Sequence, residues 1–155
     1  MAKSEQIIQA TITLEWIDDL TFKLRFDNPI IPELFVDETH EPDSPEVVGP
    51  DPSRLLLSAI MGCLNSSFAF CLKKARIPLK ALSAKGILTI QRNEEGYLRV
   101  SQINIELMPE IEIESGIPRM ERCIETFHNY CTVTQSVRQG IPVNITISKE
   151  KILTG

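Results

Sequence analysis

The run from Leu55 to Leu72 limits what this chain can fold into more than any other stretch. It is apolar on nearly every side of a 3.6-residue period, so it reads as a helix buried all round. Its start is marked by Asp51, a side chain suited to cap a helix, and by Pro52, which fits the first helical position. Pro78 stops it just after Arg76. A helix of this kind needs cover from more than one sheet, and a single small meander cannot supply it. Two such helices enclosed together in a homodimer would satisfy it. Arg54, Asn65 and Lys73 fall within or beside the run, which is read as too short and too polar to span a bilayer.

Strands flank this helix. Ile8, Ala10, Ile12, Leu14 and Trp16 alternate with polar residues, and Phe22, Leu24 and Phe26 alternate with Lys23, Arg25 and Asp27. With the Asp18-Asp19 turn between them and a short run from Leu34 to Val36 after them, they predict an antiparallel meander. Residues 37–52 are a polar, proline-rich loop. After Pro78, Leu82, Ala84, Gly86, Leu88 and Ile90 hold one face of a strand up to the turn at Asn93-Glu94-Glu95-Gly96. The next strand places Leu98 and Val100 in one phase and Ile103, Ile105 and Leu107 in the other, which suggests a bulge near Ser101-Gln102. A second helix starts at Pro118 with the stripe Met120, Cys123, Ile124, Phe127 and Cys131. A short helix then ends at Gly140, and Ile141, Val143, Ile145 and Ile147 predict a last strand. The order βββ-α-ββ-α-α-β defines a single α+β domain over residues 1–155.

Net charge is −5 with no basic block, which argues against nucleic acid and against acidic membranes as partners. The first residues lack a signal-peptide apolar core, so a cytoplasmic location is expected, where structural disulfides are rare. The four cysteines then suggest free thiols, metal ligands or redox chemistry. They fall as Cys63/Cys71 and Cys123/Cys131, each pair eight residues apart. Eight helical residues rise about 12 Å, too far to chelate one zinc, and only His40 and His128 could add ligands. No metal and no cofactor are expected: the 7 glycines form no phosphate loop, and no G-x-S-x-G elbow is present. Thiol chemistry remains. Cys131 lies just before a helix, where unpaired N–H groups favour a thiolate. Cys63, Cys71 and Cys123 read as packing residues from composition alone.

The run Gly49-Pro50-Asp51-Pro52, the leucine-rich segment after it and Cys63 resemble the OsmC/Ohr family, the osmotically inducible and organic hydroperoxide resistance proteins. Cys131-Thr132-Val133-Thr134 resembles the family's second cysteine segment, with Thr132 where proline is usual. The resemblance covers roughly residues 6–148 and implies an intertwined homodimer in which two antiparallel sheets wrap two central helices. It also implies a peroxidase for organic or inorganic hydroperoxides. Cys63 would attack the O–O bond, Cys131 would close a disulfide, and an external dithiol would reset the pair. The chain departs from the pattern where activation is set. Ser53 and Arg54 stand where the family carries a glutamate, and Asp18, Asp19 and Thr21 stand where an arginine is expected. Arg25, Arg54 and Glu46 are the candidates to substitute near the thiol, with Ser53 beside them. Without such a charge, a buried Cys63 stays a neutral thiol. The alternatives are an OsmC-like protein that binds a small apolar ligand without catalysis, or a redox sensor.

Overall fold

A computed structural model describes residues 6–112 and 117–148. It forms two compact units. One comprises residues up to Ala59 with Lys85–Glu106, and the other Ile60–Ala84 with residues from Leu107 onward.

In the first unit, β1 (Ile12–Asp18), β2 (Thr21–Phe26) and β3 (Leu34–Asp37) pair antiparallel in the order β1-β2-β3. This is the predicted meander. Ile12 faces Phe26, Leu14 faces Leu24 and Trp16 faces Phe22. The register shifts between Trp16 and Asp18, where Asp19 takes a positive φ of 43° to close the turn. Thr21, Leu24, Val36 and Asp37 are buried. All of β1 is exposed, so the apolar face carried by Ile12, Leu14 and Trp16 is not half-buried as its alternation predicts. Alternation records the intended face, but nothing described in the chain covers it.

The long helix is α1 (Pro52–Lys74). Asp51 Oδ1 caps it by accepting from Arg54 N at 3.0 Å. It ends in a Schellman-type turn, with Ile77 N donating to Leu72 O and Arg76 N to Lys73 O. Arg76 holds the left-handed position at φ 57°, a place that usually takes glycine. Ile60, Leu64, Phe68 and Leu72, four residues apart, form the buried stripe. Within a single chain the helix is not buried all round: Phe70 is 60% exposed, and Gly62 and Ser66 are exposed as well. One chain covers one stripe of this helix. The expectation that the run is too short and too polar for a bilayer is corrected. With 23 residues and a mean hydropathy of 1.8 over its most apolar window, α1 is long and apolar enough to cross one. Its charges, Arg54, Lys73 and Lys74, sit at its ends, which is why the interior passes that test.

β4 (Leu79–Arg92) and β5 (Leu98–Ile111) form a two-stranded sheet. Asn93 Oδ1 accepts from Glu95 N and Tyr97 N, and Gly96 supplies the positive φ of 88° that the turn needs. β5 runs unbroken through Ser101-Gln102, while Ile103, Ile105 and Leu107 are half-buried and Leu98 and Val100 exposed. In the second unit α2 (Ile117–Thr126) leads through a 3₁₀ turn (Phe127–Tyr130) into α3 (Thr132–Gln139). The core there is Phe68, Leu72, Ile77 and Cys123, with Leu79, Leu107 and Phe127 packed against it. Gly140, at φ 76°, ends α3. The predicted last strand is not formed. Residues 141–148 have no ladder partner among the described residues, and Ile141, Val143, Ile145 and Ile147 are exposed.

Leu72 is fully buried at the centre of this core. Leu72→Ala should destabilise the fold by about 2–5 kcal/mol, seen as a lower urea midpoint at unchanged slope. A loss within about 0.5 kcal/mol would mean that the core does not depend on this helix end.

Candidate functional site

Helix geometry in the second unit makes the site. The segment 123–131 runs antiparallel to α1, and three contacts mark the register. Cys71 faces Cys123, the Phe68 and Phe127 rings meet edge to face at 5.1 Å, and Cys63 faces Cys131. The repeated spacing of eight on both segments therefore aligns two cysteine pairs as rungs.

The rungs differ chemically. Cys71 and Cys123 form a disulfide with Cα atoms 5.7 Å apart. This corrects the expectation that both are plain packing residues. Each packs in the core, but each also bonds the other, because the antiparallel register sets them opposite. Cys63 and Cys131 are free thiols whose sulfurs lie 2.6 Å apart.

Cys131 is fully buried and sits at the cap position of α3, its carbonyl accepting from Gln135 N at 3.0 Å. Its sulfur is hydrogen-bonded to Thr134 Oγ1 at 2.9 Å. Burial works against its thiolate, but the Cys63 thiol, the Thr134 hydroxyl and N–H and the Ser67 hydroxyl together outweigh it, so the Cys131 pKa falls. Cys63, half-buried, is pushed the other way by burial and by the neighbouring Cys131 sulfur. Of the two, Cys131 is the thiol whose ionised form its surroundings favour, and Cys63 the one whose neutral form they favour. Ser67 was not singled out from the sequence, and Thr134 was quoted only as part of the second cysteine segment, with no role of its own. Thr134 stands three residues into a segment whose capping role was legible, and that spacing was the available signal.

The other four candidates lie in the first unit. Ser53 Oγ donates to Asp51 Oδ1 at 2.5 Å, and the Arg54 guanidinium pairs with Asp51 Oδ2. Glu46 reaches His40 Nε2 at 3.6 Å. Arg25, on β2, is held by Glu33 at 2.5 Å and Glu15 at 2.8 Å. The structure therefore gathers Ser53 and Arg54 around Asp51, joins Glu46 to His40, and engages Arg25 separately on the meander.

Asp37, His40, Asp51 and Arg54 also line a cavity of about 210 Å³. Sequence reasoning passed over Asp37, which organises the loop. Its buried carboxylate binds His40 Nδ1 at 2.9 Å and accepts from the backbone N–H groups of Thr39, His40 and Val48. The His40 ring and those N–H groups hold Asp37 far below the usual carboxylate range, and Asp37 in turn raises His40.

The chain is thus an α+β protein of two antiparallel sheets and three helices that sets two thiols from different helices sulfur to sulfur. It belongs to the family described as OsmC-like protein, which matches residues 42–146. An OsmC-like protein from Mycoplasma pneumoniae superposes with a TM-score of 0.70 at 15% identity, over 86% of this chain and 89% of that one. An OsmC-like protein of unknown function from Vibrio cholerae gives 0.66 at 13%, over 84% and 94%. An organic hydroperoxide resistance protein of Bacillus subtilis gives 0.58 at 13%, over 84% and 91%. At these identities the likeness is one of fold. No curated protein matches the chain.

The Asp37–His40 pair makes a pH prediction. His40 is raised above its ordinary 6.5, so its contribution is full below that value and is lost as pH rises through the raised one. Asp37 is depressed, so its contribution is present above its ordinary 3.8 and is lost as pH falls through the depressed value. The His40 ring signal in NMR should titrate above 6.5 and return toward it in Asp37→Asn. A midpoint at or below 6.5 in the wild type would overturn the pairing.

Proposed function

We propose that this chain is a thiol-dependent peroxidase that reduces organic or inorganic hydroperoxides through Cys63 and Cys131. The observation that carries the reading is the rung itself: two free sulfurs 2.6 Å apart, one reachable and one buried. The hydroperoxide resistance protein of Bacillus subtilis among the structural neighbours supports it.

The opposite directions in which the two thiols are pushed give each sulfur a task. The buried Cys131 thiolate takes the proton of the Cys63 thiol as Cys63 attacks the outer peroxide oxygen. The O–O bond breaks, Cys63 becomes a sulfenic acid, and the departing alkoxide takes the proton from Cys131 and leaves as alcohol. The restored Cys131 thiolate then attacks the Cys63 sulfur, forming the disulfide and releasing hydroxide, which solvent protonates to water. Two electrons come from the thiol pair, and an external dithiol returns them. In this scheme Cys131 does the work that an arginine held by a glutamate would do. That matters here because Arg25 and Arg54 are both engaged by carboxylates.

The same engagement supports the second reading, a binding protein that keeps the fold without turnover. Thiol titration separates the two. The peroxidase loses two thiols, Cys63 and Cys131, for each hydroperoxide added, and the binding protein loses none on that timescale. Cys63→Ser should abolish turnover. Cys131→Ser should leave a trappable Cys63 sulfenic acid and slow its formation by about 10²-fold, the low end for loss of a general base. If Cys131→Ser forms the sulfenic acid at the wild-type rate, Cys131 only resolves and does not activate. Thr134→Val should shift the pH–rate profile upward, because it removes a hydroxyl that stabilises the thiolate.

The reading includes a homodimer. The exposed apolar face of β1 and the alternating residues 141–148, which have no ladder partner among the described residues, support it. Sedimentation should then give a dimer whose unfolding depends on protein concentration. A well-folded monomer at micromolar concentration would contradict it.

A further inference from the structure

The Cys71–Cys123 rung has no part in the scheme above, and it lines a cavity of about 740 Å³ in the second unit. That volume is typical of a small-molecule site. Lys74, Arg119 and Arg122 share the lining with both cysteines, and no described lining residue is Asp or Glu. On a chain of net charge −5, this is a local field opposite in sign to the whole. Lys74 Nζ sits 5.4 Å from the Phe70 ring centroid, and the Arg119 guanidinium is anchored by donating to Ala75 O at 2.9 Å. Arg122 forms no ion pair among the described residues. Of the two sulfur-bearing residues, Cys71 is half-buried and Cys123 is 3% exposed, so an incoming group meets Cys71 first.

We propose that the Cys71–Cys123 disulfide is a second thiol-exchange site, entered through this cavity and selective for small thiols that carry a carboxylate. The two features point to one ligand class: the cations recognise the acid, and the disulfide receives the thiol. The thiolate of the ligand attacks Cys71 Sγ, the Cys71–Cys123 bond breaks, and the electron pair leaves on Cys123 Sγ, which is protonated from solvent. A second ligand thiolate attacks the ligand sulfur of the mixed disulfide and releases Cys71 as a thiolate, also protonated from solvent. The products are the protein dithiol and the ligand disulfide, with two electrons passed from two thiols to the protein. This site does not depend on the peroxidase reading.

The test reduces the purified, oxidised protein with 3-mercaptopropionate, 2-mercaptoethanol and cysteamine, which are anionic, neutral and cationic away from the thiol. Cys71 and Cys123 are followed by differential alkylation and peptide mapping. Each rate is divided by that thiol's rate on a neutral small disulfide, which removes its intrinsic reactivity. The normalised order should be anionic, then neutral, then cationic, spanning at least about tenfold at low salt and narrowing as salt screens the cations. Lys74→Met with Arg122→Met should abolish the order, and Lys74→Glu with Arg122→Glu should invert it. The proposal is overturned if the three thiols react alike, if the order survives both double variants, or if the disulfide reduces only on unfolding.

Discussion

The antiparallel packing of the segment 123–131 on α1 fixes the chemistry of the second unit. Phe68 on Phe127, backed by Leu72 and Ile77, holds two helical segments at one register. Close-packed interiors tolerate little sliding, so this apolar contact sets positions for atoms that it does not touch. Cys63 meets Cys131 and Cys71 meets Cys123 because each lies a fixed number of residues from the aromatic pair.

Within that register, local surroundings divide the labour between the rungs. Cys131 stands at a helix start, where Thr134 turns both a hydroxyl and an N–H toward its sulfur, and Ser67 adds a second hydroxyl. Cys63 lies mid-helix, and burial and the Cys131 sulfur push its pKa up more than the Val133 and Thr134 N–H groups bring it down. Two thiols that are alike in composition acquire opposite tendencies because one sits at a helix end and the other inside one. The second rung packs among core side chains and is closed as a disulfide.

The first unit solves a different problem with the same economy. Its long polar loop carries many backbone groups and little apolar mass, and the buried Asp37 carboxylate gathers three of those N–H groups and the His40 ring. Asp51 likewise serves at once as helix cap, acceptor for Ser53 and partner for Arg54. The charges that could have activated a thiol are spent on holding a loop, a helix start and a strand in place.

Much of this was written in local pattern. Period-two alternation marked β1 and β2, Asp51-Pro52 marked the start of α1, and the position of Cys131 before a helix marked the thiol with the lowered pKa. These features depend on neighbours within a turn or a strand pair, which a sequence displays directly. What needed the tertiary structure was any fact that depends on which elements meet. The equal spacing of eight in the two cysteine pairs was visible, but only an antiparallel helix contact turns it into a Cys71–Cys123 disulfide and a Cys63–Cys131 rung. Residues 141–147 alternate like a strand, yet a strand exists only where a ladder partner lies beside it. Likewise α1 is apolar nearly all round but buried along one stripe, because sequence sets how much apolar surface a helix offers and only packing decides how much of it is covered.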